Sequence, residues 1–99
     1  MPKLQTSASV LQSLMDRYRL NPFSLSKGIN LSNSAARLLV IGKAKISVST
    51  ALRLSKFFGQ TPDYWLDLQR EVDINEASKD QELQDTLKAI PKAKKPVAP

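Results

Sequence analysis

Proline directly follows a helix-capping residue at two places in the chain, and these two pairs constrain the fold more than any other local signal. They are Asn21-Pro22 and Thr61-Pro62. Asn and Thr side chains cap the first turn of a helix, and proline suits the first helical position because the N–H that it lacks would have no partner there. Each pair therefore predicts the start of a helix.

Serine and glycine residues supply the remaining helix boundaries. Ser32 and Ser47 are N-cap candidates, whereas Gly42 and Gly59 follow apolar runs and suit the left-handed residue that ends a helix. Together the signals predict five helices: Ala8 to Tyr18, Pro22 to Gly28, Asn33 to Ile41, Val48 to Phe58, and one from Pro62 onward. Short loops without a hairpin signal predict an all-α domain.

Apolar residues recur every three or four positions within the predicted helices, which is the spacing of a helix face that packs into a core. The predicted core residues are Val10, Leu14, Tyr18, Leu25, Ile29, Ala51, Leu54, Phe58, Trp65, Leu66, Leu68 and Val72. One segment is ambiguous, since the run from Leu38 to Ile41 contains β-branched residues and also suits a short buried strand. The capping residues on both sides of this run favour a helix.

The chain contains no Cys and no His, which excludes disulfides, zinc sites of the usual ligand types and the Ser/His and Cys/His pairs of hydrolases. Asp63, Asp67 and Glu71 share one face of the fifth predicted helix and suggest a cation site. A solvated surface is favoured, because Asp63 lies in the first turn, where its charge favourably opposes the helix dipole. We therefore expect no enzymatic activity, no catalytic residue, no metal and no cofactor.

Basic residues are concentrated in one part of the chain. The formal net charge is +6, and residues 1–72 account for all of it. No acidic residue lies between Asp16 and Asp63, and the basic residues of this interval are Arg17, Arg19, Lys27, Arg37, Lys43, Lys45, Arg53 and Lys56. A block of single sign predicts a positive surface that suits an anionic partner.

The C-terminal part of the chain differs in charge from the rest. Residues 73–85 hold five acids and one Lys, whereas residues 88–99 hold four Lys, three Pro and no acid. The first of these parts either continues the fifth helix or forms an acidic amphipathic segment, since Leu83, Leu87 and Ile90 recur at helical spacing. Within the second part, the piece from Pro91 to Pro99 predicts a flexible tail.

We therefore divide the chain into a domain, residues 1–72, and a C-terminal extension, residues 73–99. No apolar run in the sequence has the length of a secretory signal or of a membrane span. The sequence accordingly predicts a cytoplasmic protein without a membrane partner.

The second and third predicted helices, with the turn between them, have the size of a helix-turn-helix. The turn runs from Gly28 to Ser32, and Asn30 stands where a left-handed residue is needed, a conformation that Asn adopts more readily than other non-glycine residues. Ile29 and Leu31 bracket Asn30 as apolar residues that pack into the core. In such a unit the second helix lies in the major groove of DNA with its N-terminal residues facing base edges.

Four sequence segments indicate a family. They are Gly42-Lys43 with Ile46, Thr50-Ala51-Leu52-Arg53-Leu54, Phe58-Gly59, and Thr61-Pro62-Asp63-Tyr64-Trp65-Leu66-Asp67-Leu68-Gln69. Through them the chain from Val10 to Gln69 resembles the HigA-type antitoxins of the Xre, or lambda-repressor-like, helix-turn-helix family, also known as plasmid maintenance antidote proteins.

The resemblance implies a five-helix lambda-repressor-like domain, here followed by the C-terminal extension. It further implies the antitoxin of a type II toxin–antitoxin system, a homodimer that binds double-stranded, palindromic operator DNA and represses its own operon. The partner protein would be a cognate toxin that cleaves mRNA on the ribosome.

The sequence departs from the family pattern at several positions. Ser24 and Asn30 stand where the family often has Glu and Gly, and Thr6 to Ser9 replace the segment from which its first helix usually begins. The recognition helix, Ser32 to Leu38, carries a single charge on Arg37 with small side chains around it.

Carried over position by position, the resemblance implies two kinds of DNA contact. Asn33, Ser34 and Arg37 face base edges, and Ala35 and Leu38 meet thymine methyl groups. The residues expected at phosphates are Asn21, Ser32, Lys43 and Lys45.

Two other functions remain open. The chain is a stand-alone helix-turn-helix repressor if no toxin is encoded beside it. Alternatively, it is a toxin-binding module with weak or lost DNA binding, an interpretation motivated by the apolar run from Leu38 to Ile41 and by the few polar groups of the recognition helix.

Overall fold

The computed structural model describes residues 5–94, which fold into six helices. They are α1 (Ser7–Tyr18), α2 (Pro22–Ile29), α3 (Asn33–Val40), α4 (Val48–Phe58), α5 (Pro62–Ser78) and α6 (Gln81–Ala89). No strand occurs in this part of the chain, so the predicted all-α class is confirmed. Of the predicted flexible tail, residues 95–99 lie outside the described residues. None of the helices within residues 5–94 combines the length and apolarity that a membrane span requires.

The predicted capping residues stand at the N-termini of α2 to α5. Asn21, Ser32 and Ser47 each accept a hydrogen bond from a backbone N–H in the first turn of the helix that follows. Thr61 occupies the N-cap of α5 with an extended backbone, but its side chain makes no capping hydrogen bond. The first helix begins at Ser7, one residue before the predicted start, because Thr6 forms a capping box with the third residue of α1.

Left-handed residues end four of the described helices or turns. Asn30, Gly42 and Gly59 have φ angles of 58°, 81° and 76°, as the sequence predicted. Arg19, with a φ angle of 55°, ends α1 in the same conformation although no glycine or asparagine announces it. The backbone N–H of Arg19 donates to the carbonyl of Asp16 at 3.2 Å, which closes the last turn of α1.

One hydrophobic core joins α1 to α5, and Trp65 lies at its centre with no exposed surface. The indole Nε1 of Trp65 donates to Oε1 of Gln60 at 2.7 Å, so the buried donor is satisfied. The prediction for Tyr18 was wrong, because its side chain is 57% exposed. Tyr18 is the last residue of α1, and its ring covers Phe58 from the solvent side with ring centroids 5.5 Å apart.

The ambiguous apolar run is helical. Leu38, Leu39 and Val40 form the last turn of α3, and Ile41 is the C-cap, so the helix ends one residue before the predicted boundary. Leu39 is buried and Val40 is half-buried, whereas Leu38 and Ile41 are exposed. A helix explains this pattern, because a strand buried on both faces would hide the whole run.

The C-terminal extension contains both structures that the sequence left open. The helix α5 continues through residue 72 to Ser78. After a short turn α6 begins, with Asp80 as its N-cap. The proposed division at residue 72 falls within α5. The domain boundary itself stays a prediction. The only helix against which α6 makes extensive contact in the described chain is α5, and no residue of α6 is buried.

Candidate nucleic-acid interface

The helices α2 and α3 pack against each other across a turn that closes as the sequence predicts. Ile29 is buried, and Leu31 is half-buried against the core. Asn30 lies between them in the left-handed conformation, and the N–H of Leu31 donates to the carbonyl of Ser26 at 2.9 Å. This bond across the left-handed residue fixes the direction in which α3 leaves the turn.

The helix α3 has one buried and one exposed face. Ala36 and Leu39 are buried, and they anchor the helix on the core. The residues predicted to read bases are Asn33, Ser34, Ala35, Arg37 and Leu38, of which Ala35 is half-buried and the other four are exposed. The structure therefore brings four of the five predicted base-reading side chains to the solvent side of α3, and Ala35 is only partly accessible.

Two side chains from other helices hold α3 in place, one at its C-terminus and one in the turn before it. Nε2 of Gln12 in α1 donates to the carbonyl of Val40 at 2.6 Å, at the C-terminus of α3. Nη1 of Arg53 in α4 donates to the carbonyls of Ile29 and Asn30 at 2.9 and 2.7 Å, in the turn. The orientation of α3 thus depends on hydrogen bonds from α1 and α4 as well as on its own buried face.

These roles of Gln12 and Arg53 were not foreseen. Each bond joins residues more than twenty positions apart, and a local pattern of apolar or capping residues contains no signal for such a bond. The one available signal was that Arg53 lies among the residues that carry the family resemblance.

The predicted phosphate-contacting residues at the helix starts are exposed N-caps. Oδ1 of Asn21 accepts from the N–H and the hydroxyl of Ser24 at 2.8 and 3.0 Å, and Oγ of Ser32 accepts from the N–H of Ala35 at 3.1 Å. These oxygens serve their own helices. The electropositive first turns beyond them remain suited to a phosphate through backbone N–H groups and the helix dipole.

The loop from Gly42 to α4 presents the two predicted lysines differently. The loop is fixed because the N–H of Ile46 donates to Oε1 of Gln69 in α5 at 2.9 Å. Lys43 is exposed and forms no ion pair with any residue of the described chain. Nζ of Lys45 lies 3.4 Å from Oδ1 of Asp73 in α5. Of these two lysines, only Lys45 has its charge opposed by a carboxylate of the described chain within ion-pair distance.

The three carboxylates on α5 form no evident cation site. Asp63, Asp67 and Glu71 are exposed, and Oδ1 of Asp67 accepts from Nη2 of Arg70 at 2.6 Å. Within residues 5–94 no three acidic side chains lie together in a way that could hold a metal ion. Asp63 lies in the first turn of α5, where a negative charge stabilises the helix.

Comparison with known proteins gives relatives that include HTH-type transcriptional regulators. No model of a protein family matches the chain. The HTH-type transcriptional regulator YddM of Escherichia coli K12, itself uncharacterized, is 29% identical over 70 residues, which cover 71% of this chain and 74% of YddM.

Solved structures extend the likeness to nearly the whole chain. An addiction module antidote protein of the HigA family from Coxiella burnetii is 28% identical with a TM-score of 0.80, and the match covers 93% of this chain and 100% of that one. The antitoxin HigA of Pseudomonas aeruginosa, solved with the higBA promoter, has a TM-score of 0.81 at 20% identity over 92% of this chain and 100% of its own, a likeness of fold alone. Together the sequence and fold likenesses confirm the predicted resemblance to HigA-type helix-turn-helix proteins.

Proposed function

We propose that this chain, a helix-turn-helix protein of the HigA type, is a DNA-binding antitoxin that represses its own operon. The observation that carries the proposal is the exposed side of α3, which the core and three long-range hydrogen bonds from Gln12 and Arg53 hold in a fixed orientation. A helix held in this way can enter the major groove without first being ordered, so little of its binding free energy is lost to conformational entropy.

We assign the nine candidate residues to two kinds of DNA contact. At base edges we place the side chains on the exposed side of α3: Asn33, Ser34, Ala35, Arg37 and Leu38. At phosphates we place the two N-cap regions and the lysines of the next loop: Asn21, Ser32, Lys43 and Lys45. The first group supplies sequence preference, and the second supplies affinity that falls as salt rises.

Charge supports the same assignment. Residues 17–62 contain no acid and span α2, α3 and α4. The helices α2, α3 and α4 themselves present basic side chains and no carboxylate to DNA, whereas Asp73 of α5 lies 3.4 Å from Lys45. The descriptions of similar proteins also support DNA binding, since YddM is described as an HTH-type transcriptional regulator and P. aeruginosa HigA was solved with promoter DNA.

Finer features follow from the resemblance and are part of the proposal. The protein acts as a homodimer on a palindromic operator, because two copies of one short recognition helix read two half-sites. Its second partner is a toxin that cleaves mRNA, encoded in the same operon. The role of the chain is binding, and its side chains perform no catalysis.

Co-expression tests both activities. The chain is produced together with the product of the open reading frame beside its gene, while a reporter is driven by the DNA upstream of the two genes. We expect the neighbouring product to arrest growth when produced alone, the chain to restore growth, and the reporter to be repressed. Repression beside a harmless neighbour would indicate a stand-alone repressor, whereas restored growth without repression would indicate a toxin-binding module.

A further inference from the structure

The loop between α3 and α4, which carries two lysines, faces the second half of α5. A cleft between the two is lined by Lys43 and Lys45 from the loop and by Asp73 and Glu76 from α5. Nζ of Lys45 lies 3.4 Å from Oδ1 of Asp73. Asp73 lies outside residues 17–62, which contain no acid. The fold therefore adds a carboxylate to a surface that the local sequence makes basic.

The carboxylate of Asp73 is held beside the loop by the side chain of Gln69. Oε1 of Gln69 accepts from the N–H of Ile46 at 2.9 Å, and Nε2 of Gln69 donates to Oδ1 of Asp73 at 3.0 Å. Ile46 is buried and directly follows Lys45 in the chain. The oxygen of Asp73 that pairs with Lys45 is therefore also linked, through one amide group, to the backbone of the loop.

The ion pair is exposed, so its two partners can separate. The side chain of Lys45 is 75% exposed and that of Asp73 is 43% exposed. An ion pair in such a position is weak, because water and salt screen its charges. A phosphate can compete for Lys45, but it does so against a carboxylate that already pairs with the lysine and that repels the phosphate.

We propose that Asp73 limits the affinity of the protein for DNA by withholding the charge of Lys45 from phosphates. This inference rests on the proposed DNA-binding function, which places Lys43 and Lys45 at phosphates. Phosphates carry no sequence information, so the limit applies equally to the operator and to any other DNA. Asp73 thus determines affinity, whereas the exposed side of α3 determines sequence preference.

Substitution can separate the charge of Asp73 from its hydrogen bond. In Asp73→Asn the side chain loses its charge but keeps an oxygen that can accept from Nε2 of Gln69. Lys45→Ala removes the partner, and the double variant Asp73→Asn/Lys45→Ala shows whether the two residues act on each other. Glu71→Gln is the matched control, because it changes the net charge equally. Glu71 is exposed, and two residues along a helix place it on the side of α5 opposite to Asp73.

The test measures the affinity of the full chain for the duplex upstream of its own gene and for a scrambled duplex, by fluorescence anisotropy at several salt concentrations. We expect Asp73→Asn to bind both duplexes about threefold to fivefold more tightly at about 100 mM salt, which is the range of an exposed ion pair. The slope of log affinity against log salt should steepen by up to about one unit, as gain of one phosphate contact does. The ratio of the two affinities should stay unchanged.

The control and the double variant identify the cause of the tighter binding. Glu71→Gln should tighten binding by less than about twofold, because salt screens a charge on the far side of the helix. When Lys45→Ala is already present, Asp73→Asn should have no larger effect than Glu71→Gln, because no lysine remains to be released. Circular dichroism should give every variant the helix content of the unchanged chain, since the substituted side chains are exposed or half-buried.

The proposal is overturned if Asp73→Asn binds DNA with unchanged affinity or more weakly, since weaker binding would show that Asp73 orients Lys45 toward a phosphate. It is also overturned if Asp73→Asn tightens binding equally with and without Lys45, or no more than Glu71→Gln does, because the effect then belongs to net charge. In these cases the unchanged chain still binds the upstream duplex and the DNA-binding function stands. If the unchanged chain binds neither duplex, that function fails and the inference falls with it.

Discussion

Two helices of nearly equal length, α3 with eight residues and α6 with nine, are held in the molecule in different ways. The helix α3 packs on α1 and α2, buries Ala36 and Leu39, and receives a hydrogen bond from Gln12 at its C-terminus. The helix α6 makes its main contact with α5 alone and buries no residue.

The difference shows that two helices of one small domain can be held by different kinds of contact. The outward side of α3 carries polar side chains beside the exposed Leu38, and its position is fixed by the core. In α6 the apolar Leu83 and Leu87 are exposed, and the position of the helix depends on few contacts. The variants described next test whether α3 and α6 differ in this way.

Truncating one leucine in each helix gives the largest expected difference. Leu39 is 4% exposed and Leu87 is 48% exposed. We expect Leu39→Ala to lower the free energy of unfolding by about 2–4 kcal/mol, because it leaves a cavity beneath α3. Leu87→Ala should change it by less than about 0.5 kcal/mol. Urea denaturation followed by circular dichroism measures both values, and similar losses would show that α6 belongs to the same packed core.

Arg37 tests whether the exposed side of α3 reads sequence. Its side chain is the only charged one in α3. We expect Arg37→Ala to reduce the preference for the upstream DNA over a scrambled duplex by about tenfold to 100-fold, since one good base contact is worth about 1–3 kcal/mol of discrimination. Competition binding with the two duplexes gives this ratio. A uniform loss on both duplexes would instead place Arg37 at a phosphate.

Arg53 tests whether the orientation of α3 is set from α4. In Arg53→Met the carbonyls of Ile29 and Asn30 lose their donor, and we expect DNA affinity to fall about tenfold, equivalent to about one hydrogen bond. Arg53→Lys keeps the charge without the planar fork of the guanidinium and serves as the control. If the lysine variant binds DNA fully, the charge of Arg53 matters and its geometry does not.

The two loop lysines give the smallest expected effect. Lys43→Ala should reduce the slope of log affinity against log salt by about one unit for all sequences, as loss of a single phosphate contact does. Lys45→Ala should change the slope less, because Lys45 already lies beside Asp73. Equal changes in slope would indicate that DNA displaces the Lys45–Asp73 pair.

The parts of the fold that the sequence predicts are those with local physical causes. Asn21 and Ser32 cap the turns that follow them, and Asn30 adopts the left-handed conformation because its short polar side chain tolerates it. These features require only neighbours a few positions away. Ala36 and Leu39, the buried residues of α3, were not among the predicted core residues, and the exposed side of α3 was implied by the family resemblance.

The remaining features depend on residues distant in sequence. The bonds from Gln12 to Val40 and from Arg53 to Ile29 exist only after α1 has packed on α3 and α4 on α2. Tyr18 continues the apolar stripe of α1, but the core ends before it, and spacing alone contains no information on where a core ends. The pairing of Lys45 with Asp73 likewise depends on how a loop meets α5.

The most direct measurement is a titration of the full chain against the duplex upstream of its own gene and against a scrambled duplex, by fluorescence anisotropy at several salt concentrations. We expect the upstream duplex to bind at least about 1,000-fold more tightly than the scrambled one near physiological salt. Both affinities should fall as salt rises. Equal affinity for the two duplexes, or no binding at about 100 mM salt, would contradict the assignment of α3 as a DNA-reading helix.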